Sequence, residues 1–531
     1  MTTELHWNFP YPSQRMPILA RNVVATSQPL AAQAGLQALI RGGNAIDAAI
    51  AAAITLTVVE PNNNGVGADA FAIVWDGKQL HGLNASGRSP AGWHRSRFAD
   101  RKRMPSEGWD TVTVPGAVSA WRALSERFGA LPFADLFSTP IDYAQHGFHV
   151  APKTAHYWPL AVTQFADRAD FQAHFAPQGR APTAGELFRR PDLAHTLGEI
   201  ARTYGASFYQ GRLAERIVAH SNAEGGVLSM DDLARHQCDW VAPIAQSFGA
   251  VELNEIPPNG QGLAALIALA ILERVGASGM DPDSVACVHL QIEAMKLAIV
   301  AAFRFFADAA AMAAPAQTFL EPTWIAQLAN RVDPKRASTA ALPELPSSHD
   351  TVYLTTADAE GRMVSYIQSN YRGFGSGVVV PGTGISLQNR GMGFSLVPGH
   401  PNEVGPRKRP YHTIIPGFVT RGGQPLMSFG VMGGHMQPQG HVQMVLRICG
   451  AGQNPQAASD APRWHVYEDL TVGLERGNTP ALADGLTALG HRVRWENQEH
   501  VFGGAQLIYR LADGGYCAAS DHRKEGQAVG Y

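Results

Sequence analysis

The stretch Ser347-Ser348-His349-Asp350-Thr351-Val352-Tyr353-Leu354-Thr355 joins an irregular run rich in Ala, Pro and Ser (309–345) to an alternation of strand type over 352–355. A turn at Asp358-Ala359-Glu360-Gly361 and a second strand over 363–368 follow, so Thr351 opens a hairpin. If the bond between Asp350 and Thr351 is cut, Thr351 gains a free α-amine beside its own Oγ. That is a base within reach of a hydroxyl nucleophile, the arrangement that makes a threonine reactive at neutral pH. Read from the local pattern alone, a linker followed by an ordinary strand is the commoner meaning of Asp-Thr at this place. A second candidate is Met432-Gly433-Gly434-His435, between a strand and a helix. Backbone N–H groups free of side chains at such a turn suit a developing oxyanion, although a plain helix start reads the same way.

Other familiar chemistries are missing. There is no phosphate-binding glycine loop ending in Lys-Ser/Thr, no His-Glu-x-x-His and no Cys-x-x-Cys. Gly87-Arg88-Ser89-Pro90-Ala91 approaches a serine-hydrolase elbow but follows no buried parallel strand. Gly373-Phe374-Gly375-Ser376-Gly377 precedes no helix, so its glycines are expected to let two backbones approach closely. The histidines are scattered, and no metal or organic cofactor is expected.

The elements that must position these residues are legible from periodicity. A strand over 22–26, helices over 29–40 and 45–57 with Asn44 as cap, and a hairpin of 70–75 and 79–83 across Asp76-Gly77 open the chain. Helices are expected over 117–128, 132–146, 193–204, 213–221, 263–272 and 285–306, with 243–254 extended. Strands return over 351–357, 363–369, 384–388, 413–419, 425–430 and 505–511, interrupted by helices over 437–447 and 480–489. Helices at the front and strands at the back, with hairpins in both halves, give an α+β layered core.

The chain has 531 residues, 45% hydrophobic, and a net charge of −3. No basic block points to nucleic acid, and Arg407-Lys408-Arg409 is too short to do so. The N-terminus lacks a basic segment followed by an apolar one, and the longest apolar run, 45–59, is too short to span a bilayer. The four cysteines are widely spaced. A cytoplasmic protein with reduced thiols, without membrane or nucleic-acid partners, is the expectation.

Ordered along the chain are Gly42-Gly43-Asn44-Ala45-Ile46-Asp47-Ala48-Ala49, Val114-Pro115-Gly116, Phe208-Tyr209-Gln210-Gly211, Gly225-Gly226-Val227-Leu228 with Asp231-Asp232-Leu233-Ala234, and Pro257-Pro258-Asn259-Gly260-Gln261-Gly262. Asp460-Ala461-Pro462-Arg463 and Ala519-Ser520-Asp521-His522-Arg523-Lys524-Glu525-Gly526 complete the series. Together these resemble the γ-glutamyltranspeptidase family of N-terminal-nucleophile hydrolases from about residue 22 to the end. The resemblance implies a four-layer αββα sandwich and a precursor that cuts itself into a large chain (1–350, helix-rich) and a small chain (351–531, strand-rich) sharing one core. It places the family pattern Thr-x-x-x-Ser/Thr-x-x-Asp on Thr351, Thr355 and Asp358. It makes Thr351 the nucleophile, Ser369 its supporting hydroxyl and Gly433-Gly434 the oxyanion hole.

The departures from the family carry the substrate argument. Where the family has an arginine for the glutamyl α-carboxylate, this chain has Ser86, with Arg88 displaced along the loop. The family asparagine becomes Tyr371, the acidic pair for the α-amine becomes Arg390 and Gly393, and the Ser-Ser pair becomes His412-Thr413. Tyr371 and His412 are expected to narrow the pocket. Arg88 and Arg390 offer forks for a carboxylate, while an ammonium beside Arg390 would be repelled. The expected substrate is a small carboxylate amide, oxamate first, hydrolysed to oxalate and ammonia, as in the oxamate amidohydrolases of purine breakdown that this chain resembles within the family. Glutathione-type γ-glutamyl hydrolysis or transfer, and a glutaryl-type acylase, are the alternative enzymes; an uncleaved homologue that only binds a ligand is the alternative of another class. The expected partners are the substrate and the two chains of one precursor, with a homo-oligomer left open.

Overall fold

A computed structural model describes residues 15–339 and 350–531; Ser347, Ser348 and His349 lie outside the described residues. Two seven-stranded sheets form the centre. In the first, Asp350–Ala357 lies between Val23–Thr26 and Met363–Tyr371, followed by Asp69–Trp75, Leu80–Asn84 and Asp239–Val241, with Gln527–Gly530 at the far edge. In the second, Gln424–Met432 lies between Gly504–Arg510 and Gly417–Arg421; Tyr516–Ser520 and Ile18–Ala20 extend one side, Val251–Glu255 and Ile244–Phe248 the other. Each sheet therefore mixes strands from before and after residue 350.

Strand alternation builds the layers. Along Asp350–Ala357, Val352 and Leu354 point into an outer core with the helix Ala45–Val59, while Tyr353 and Ala357 point inward against Phe418, Met432 and Ile508 of the other sheet. The second outer core packs Gly262–Arg274, Val285–Phe305 and Met436–Val445 onto the opposite face. The order is helices, sheet, sheet, helices: the expected αββα sandwich. Every residue of Ala45–Val59 is buried, as its lack of a polar face requires. Asn44 caps it with a reciprocal bond to Asp47, and Asp358 Oδ2 accepts from the Ala45 N–H at 2.9 Å, tying the hairpin turn after Thr351 to that helix.

Val285–Phe305 is long and apolar enough to cross a membrane by composition. It carries buried His289, Glu293 and Lys296, with Lys296 Nζ 2.7 Å from Glu293 Oε1, and packs within the second outer core.

Several expectations are corrected. The extended stretch 243–254 is a hairpin, because Gly249 takes φ +56° and turns the chain. The strand expected over 413–419 begins only at Gly417, since Pro416 offers no ladder N–H. The helix expected over 132–146 divides into a 3-10 turn, Phe133–Phe137, and an α-helix, Ser138–His146. The irregular run after 309 contains the helix Pro322–Ala329, begun by proline at its first position. A small sheet of Trp464–Val466, Thr471–Glu475 and Arg492–Glu496 was unanticipated. All four cysteines are free.

Candidate active site

Thr351 lies at the start of a central strand, where the ladder to Met363–Tyr371 shifts register between Asp350 and Val352. The irregularity lifts Thr351 out of regular pairing. Its Oγ1 is buried and donates to Ser369 Oγ at 3.2 Å, which also accepts from the Tyr371 N–H at 2.8 Å. Ser369 Oγ thus accepts from both the nucleophile candidate and the backbone of Tyr371.

Gly433 and Gly434 form the turn between Gln424–Met432 and Met436–Val445, with φ of +117° and +59°. A side chain at Gly433 would meet Gly503 Cα at 2.9 Å. Among the described residues neither N–H donates to a backbone carbonyl. Gln261 Nε2 donates to Gly434 O at 2.8 Å and to Thr413 O at 2.5 Å, so one buried amide joins the glycine turn to the opposite wall. Behind the turn, Arg463 Nη1 donates to Phe502 O at 2.7 Å, and Arg463 pairs with Asp521 at 2.5 Å; the two C-terminal motifs buttress this turn.

Arg390 is fully buried. Gln388 places it by accepting from its backbone N–H, while Gln388 Nε2 is held by Thr113. The guanidinium lies 4.2 Å over the Tyr371 ring and donates from Nη1 to Thr413 Oγ1 at 2.8 Å. Its Nε and Nη2 have no partner among the described residues. Burial lowers its pKa to about 10, so it stays a cation at neutral pH. A buried arginine with two open donors is a waiting site for a planar anion. Tyr371 connects it to Thr351, since the same residue supplies the ring beneath Arg390 and the N–H on Ser369 Oγ, to which Thr351 donates. A cleft of about 520 Å³ opens next to it, lined by Phe303, Tyr371, Arg372, Gly393, Tyr411 and His435 among others.

Of the predicted binding residues, the structure brings Arg390, Tyr371, His412 and Thr413 together, and leaves Arg88 outside. Arg88 is partly exposed and engaged by Asp308 at 2.9 Å, in a separate recess with Asp232, Arg235 and Arg407. Arg409, from the basic triplet, is also structural: it binds Asp239 and donates to Ser86 O at 2.7 Å. His412 Nε2 lies 3.2 Å from Asp69 Oδ2, both fully buried. Burial, and then the Arg390 and Arg409 charges, hold the His412 pKa well below its ordinary value, so the ring is neutral. Gly375 (φ +67°) lies where a Cβ would fall 2.3 Å from Leu387 O, the close backbone approach expected of the Gly-rich loop.

Two residues here escape sequence reasoning. Asp69 is the one charged residue between Gly65 and Trp75, and a lone acid in an apolar strand is the signal that could have found it. Gln261 sits in Asn259-Gly260-Gln261-Gly262, which reads as a turn and says nothing about where its amide reaches.

A double-sheet sandwich with helices on both faces and a threonine opening a central strand is the architecture of N-terminal-nucleophile hydrolases. The chain belongs to the γ-glutamyltranspeptidase family, whose model, described as gamma-glutamyltranspeptidase, matches residues 31–531. It is 34% identical over 523 residues to the glutathione hydrolase-like YwrD proenzyme of Bacillus subtilis (96% of this chain, 98% of that one). It is also 34% identical over 518 residues to the oxamate amidohydrolase proenzyme of Klebsiella pneumoniae (94% and 97%). A crystal structure of cephalosporin acylase from Bacillus halodurans superposes with a TM-score of 0.95 at 45% identity, covering 100% of this chain and 99% of that one. The protein is accordingly an amide-bond hydrolase of this family.

Proposed function

We propose that the protein is a self-cleaving hydrolase of small amides that carry a carboxylate and no ammonium, with oxamate as first candidate. Arg390 is the observation that carries this reading: a buried cation with two open donors, linked through Tyr371 and Ser369 to Thr351. In processing, Thr351 Oγ attacks the Asp350 carbonyl, the acyl group shifts from N to O, and water opens the ester. The freed Thr351 amine then takes the Oγ proton as Oγ adds to the substrate carbonyl. The Gly433 and Gly434 N–H groups hold the oxyanion. The amine returns the proton to the departing ammonia, and water resolves the acyl-enzyme. Arg390 fixes the adjacent carboxylate, and its positive charge disfavours an α-ammonium.

The cleft beside Tyr371 and the 45% identity to a cephalosporin acylase favour a second reading, in which the amide carries a larger group. Release of ammonia or amine across oxamate, γ-glutamyl-p-nitroanilide and a glutaryl-cephalosporin tests both. Oxamate turnover exceeding γ-glutamyl turnover by about a thousandfold is expected from an unpaired buried ammonium worth several kcal/mol. Efficient γ-glutamyl turnover with no oxamate hydrolysis refutes the proposal, and cephalosporin turnover alone selects the second reading.

A further inference from the structure

Asp69 has no task in that mechanism, yet it stands at its centre. Asp69 pairs directly with Ser369 across the ladder of Asp69–Trp75 and Met363–Tyr371, so the two side chains share a face, one strand from Thr351. It is fully buried. The Gly87 N–H donates to Oδ1 at 3.2 Å, and His412 Nε2 lies 3.2 Å from Oδ2. His412 precedes Thr413, whose Oγ1 accepts from Arg390, so Asp69, His412, Thr413 and Arg390 form one connected wall. The charged and titratable groups acting on Asp69 are Arg390, Arg409, the neutral His412 and the Tyr209 phenol. Arg409 is already committed to Asp239. Among the described residues, Asp69 is the carboxyl group that acts on Arg390.

We infer that Asp69 is a specificity-determining residue: through His412 and Arg390 it sets whether the acyl pocket is net positive, and therefore how tightly a substrate carboxylate is held. The inference rests on the reading that Arg390 receives that carboxylate. Ionised, Asp69 offsets the charge of the guanidinium; protonated, it leaves the positive charge for the substrate. Burial raises the Asp69 pKa to about 7, against the opposing pull of Arg390. The change of charge therefore falls near neutrality, and carboxylate binding and protonation of Asp69 reinforce each other. Binding and turnover respond oppositely to pH. KM for a carboxylate amide rises above neutrality as Asp69 ionises. The turnover number rises as the Thr351 amine, ordinarily near 7.7–8.0, loses its proton.

The test measures kcat and KM of the processed enzyme from about pH 6 to about pH 9 with oxamate and with pyruvamide, its uncharged analogue, for wild type, Asp69→Asn and His412→Gln. For wild type, oxamate KM should rise at least about fivefold over this range while pyruvamide KM stays flat. Asp69→Asn should give an oxamate KM that is low and independent of pH. A wild-type oxamate KM without slope, the same slope for pyruvamide, or the wild-type slope retained in Asp69→Asn overturns the inference. The wild-type profile decides the matter even if neither variant folds. Preference for the carboxylate without a pH slope rejects the role of Asp69 only, whereas no preference at all also rejects the proposed substrate class.

Discussion

Replacing Arg390 with methionine removes the guanidinium but keeps an apolar stem of similar length against Tyr371. A substrate carboxylate would lose two charge-assisted hydrogen bonds from Nε and Nη2, each worth about 1.5–3 kcal/mol. Some of that loss is offset because the anion is no longer fully desolvated, which leaves about 3–4 kcal/mol, or roughly 200- to 1000-fold in kcat/KM. Asp69 would lose the cation that acts on it most strongly, and burial would then keep it protonated, so no bare charge is left in the wall. Ammonia release from oxamate should show this drop, while pyruvamide, which has no carboxylate to bind, should change by less than about threefold. Arg390→Lys keeps the charge but not the fork and should lie between the two. A gel showing two chains verifies that the variant still assembles and cuts itself. Equal losses on both amides would make Arg390 a prop for the nucleophile, and unchanged oxamate kinetics would place the carboxylate elsewhere; either result refutes the reasoning.

Thr351→Ala should leave one folded, full-length chain on a denaturing gel; normal cleavage of that variant would remove Thr351 as the self-cutting residue. Gly433→Ala forces a side chain into a φ of +117° and against Gly503, displacing an oxyanion donor; kcat should fall on the order of 100-fold or more with a smaller change in KM, and an unchanged kcat would dismiss the glycine turn. Asp521 is buried, which alone would raise its pKa, but Arg463 and Arg523 outweigh burial and hold it far below its ordinary value of 3.8. A depressed folded pKa gives stability that is fully present above the unfolded value of about 3.9 and is lost as pH falls towards the folded one. Asp521→Asn should therefore cost about 3–5 kcal/mol at neutral pH, read by urea unfolding, with the gap to wild type narrowing only in acid; a gap that persists undiminished in strong acid would contradict the ion-pair account.

Much of this arrangement is visible in one dimension because it rests on local rules. The helix after Asn44 has a cap, an apolar run and a stop, and needs no tertiary information to be drawn. The hairpin that begins near Thr351 shows in its alternation and in the Asp358 turn, and the glycine pair at 433–434 shows as a break between a strand and a helix. Arg88 and Arg390 mark where such reading ends. Arg88 is a single cation in a loop and Arg390 a single cation opening the 3-10 turn Arg390–Gly393, and nothing nearby tells that one meets Asp308 while the other is sealed over Tyr371. Asp69 became meaningful only once Met363–Tyr371 was laid beside its strand, a pairing across about 300 residues. The short strands Trp464–Val466 and Arg492–Glu496 are too brief, or too exposed, to establish a period.

The interleaving of the two sheets gives the protein a one-way history. Asp350–Ala357 and Met363–Tyr371 are wedged between Val23–Thr26 and Asp69–Trp75, and the second sheet likewise encloses later strands between earlier ones. While the chain is continuous, these strands find their neighbours as parts of one molecule, at the high effective concentration of a tether. If the bond before Thr351 is cut as proposed, the finished architecture persists but its folding route is gone, because two fragments would have to reassemble around each other's central strands. Thermal unfolding of the uncut Thr351→Ala precursor should therefore be recoverable on cooling, whereas the processed enzyme, once melted, should not return. The durability of the mature form is then governed by how slowly it opens, not by how much free energy separates its folded and unfolded states.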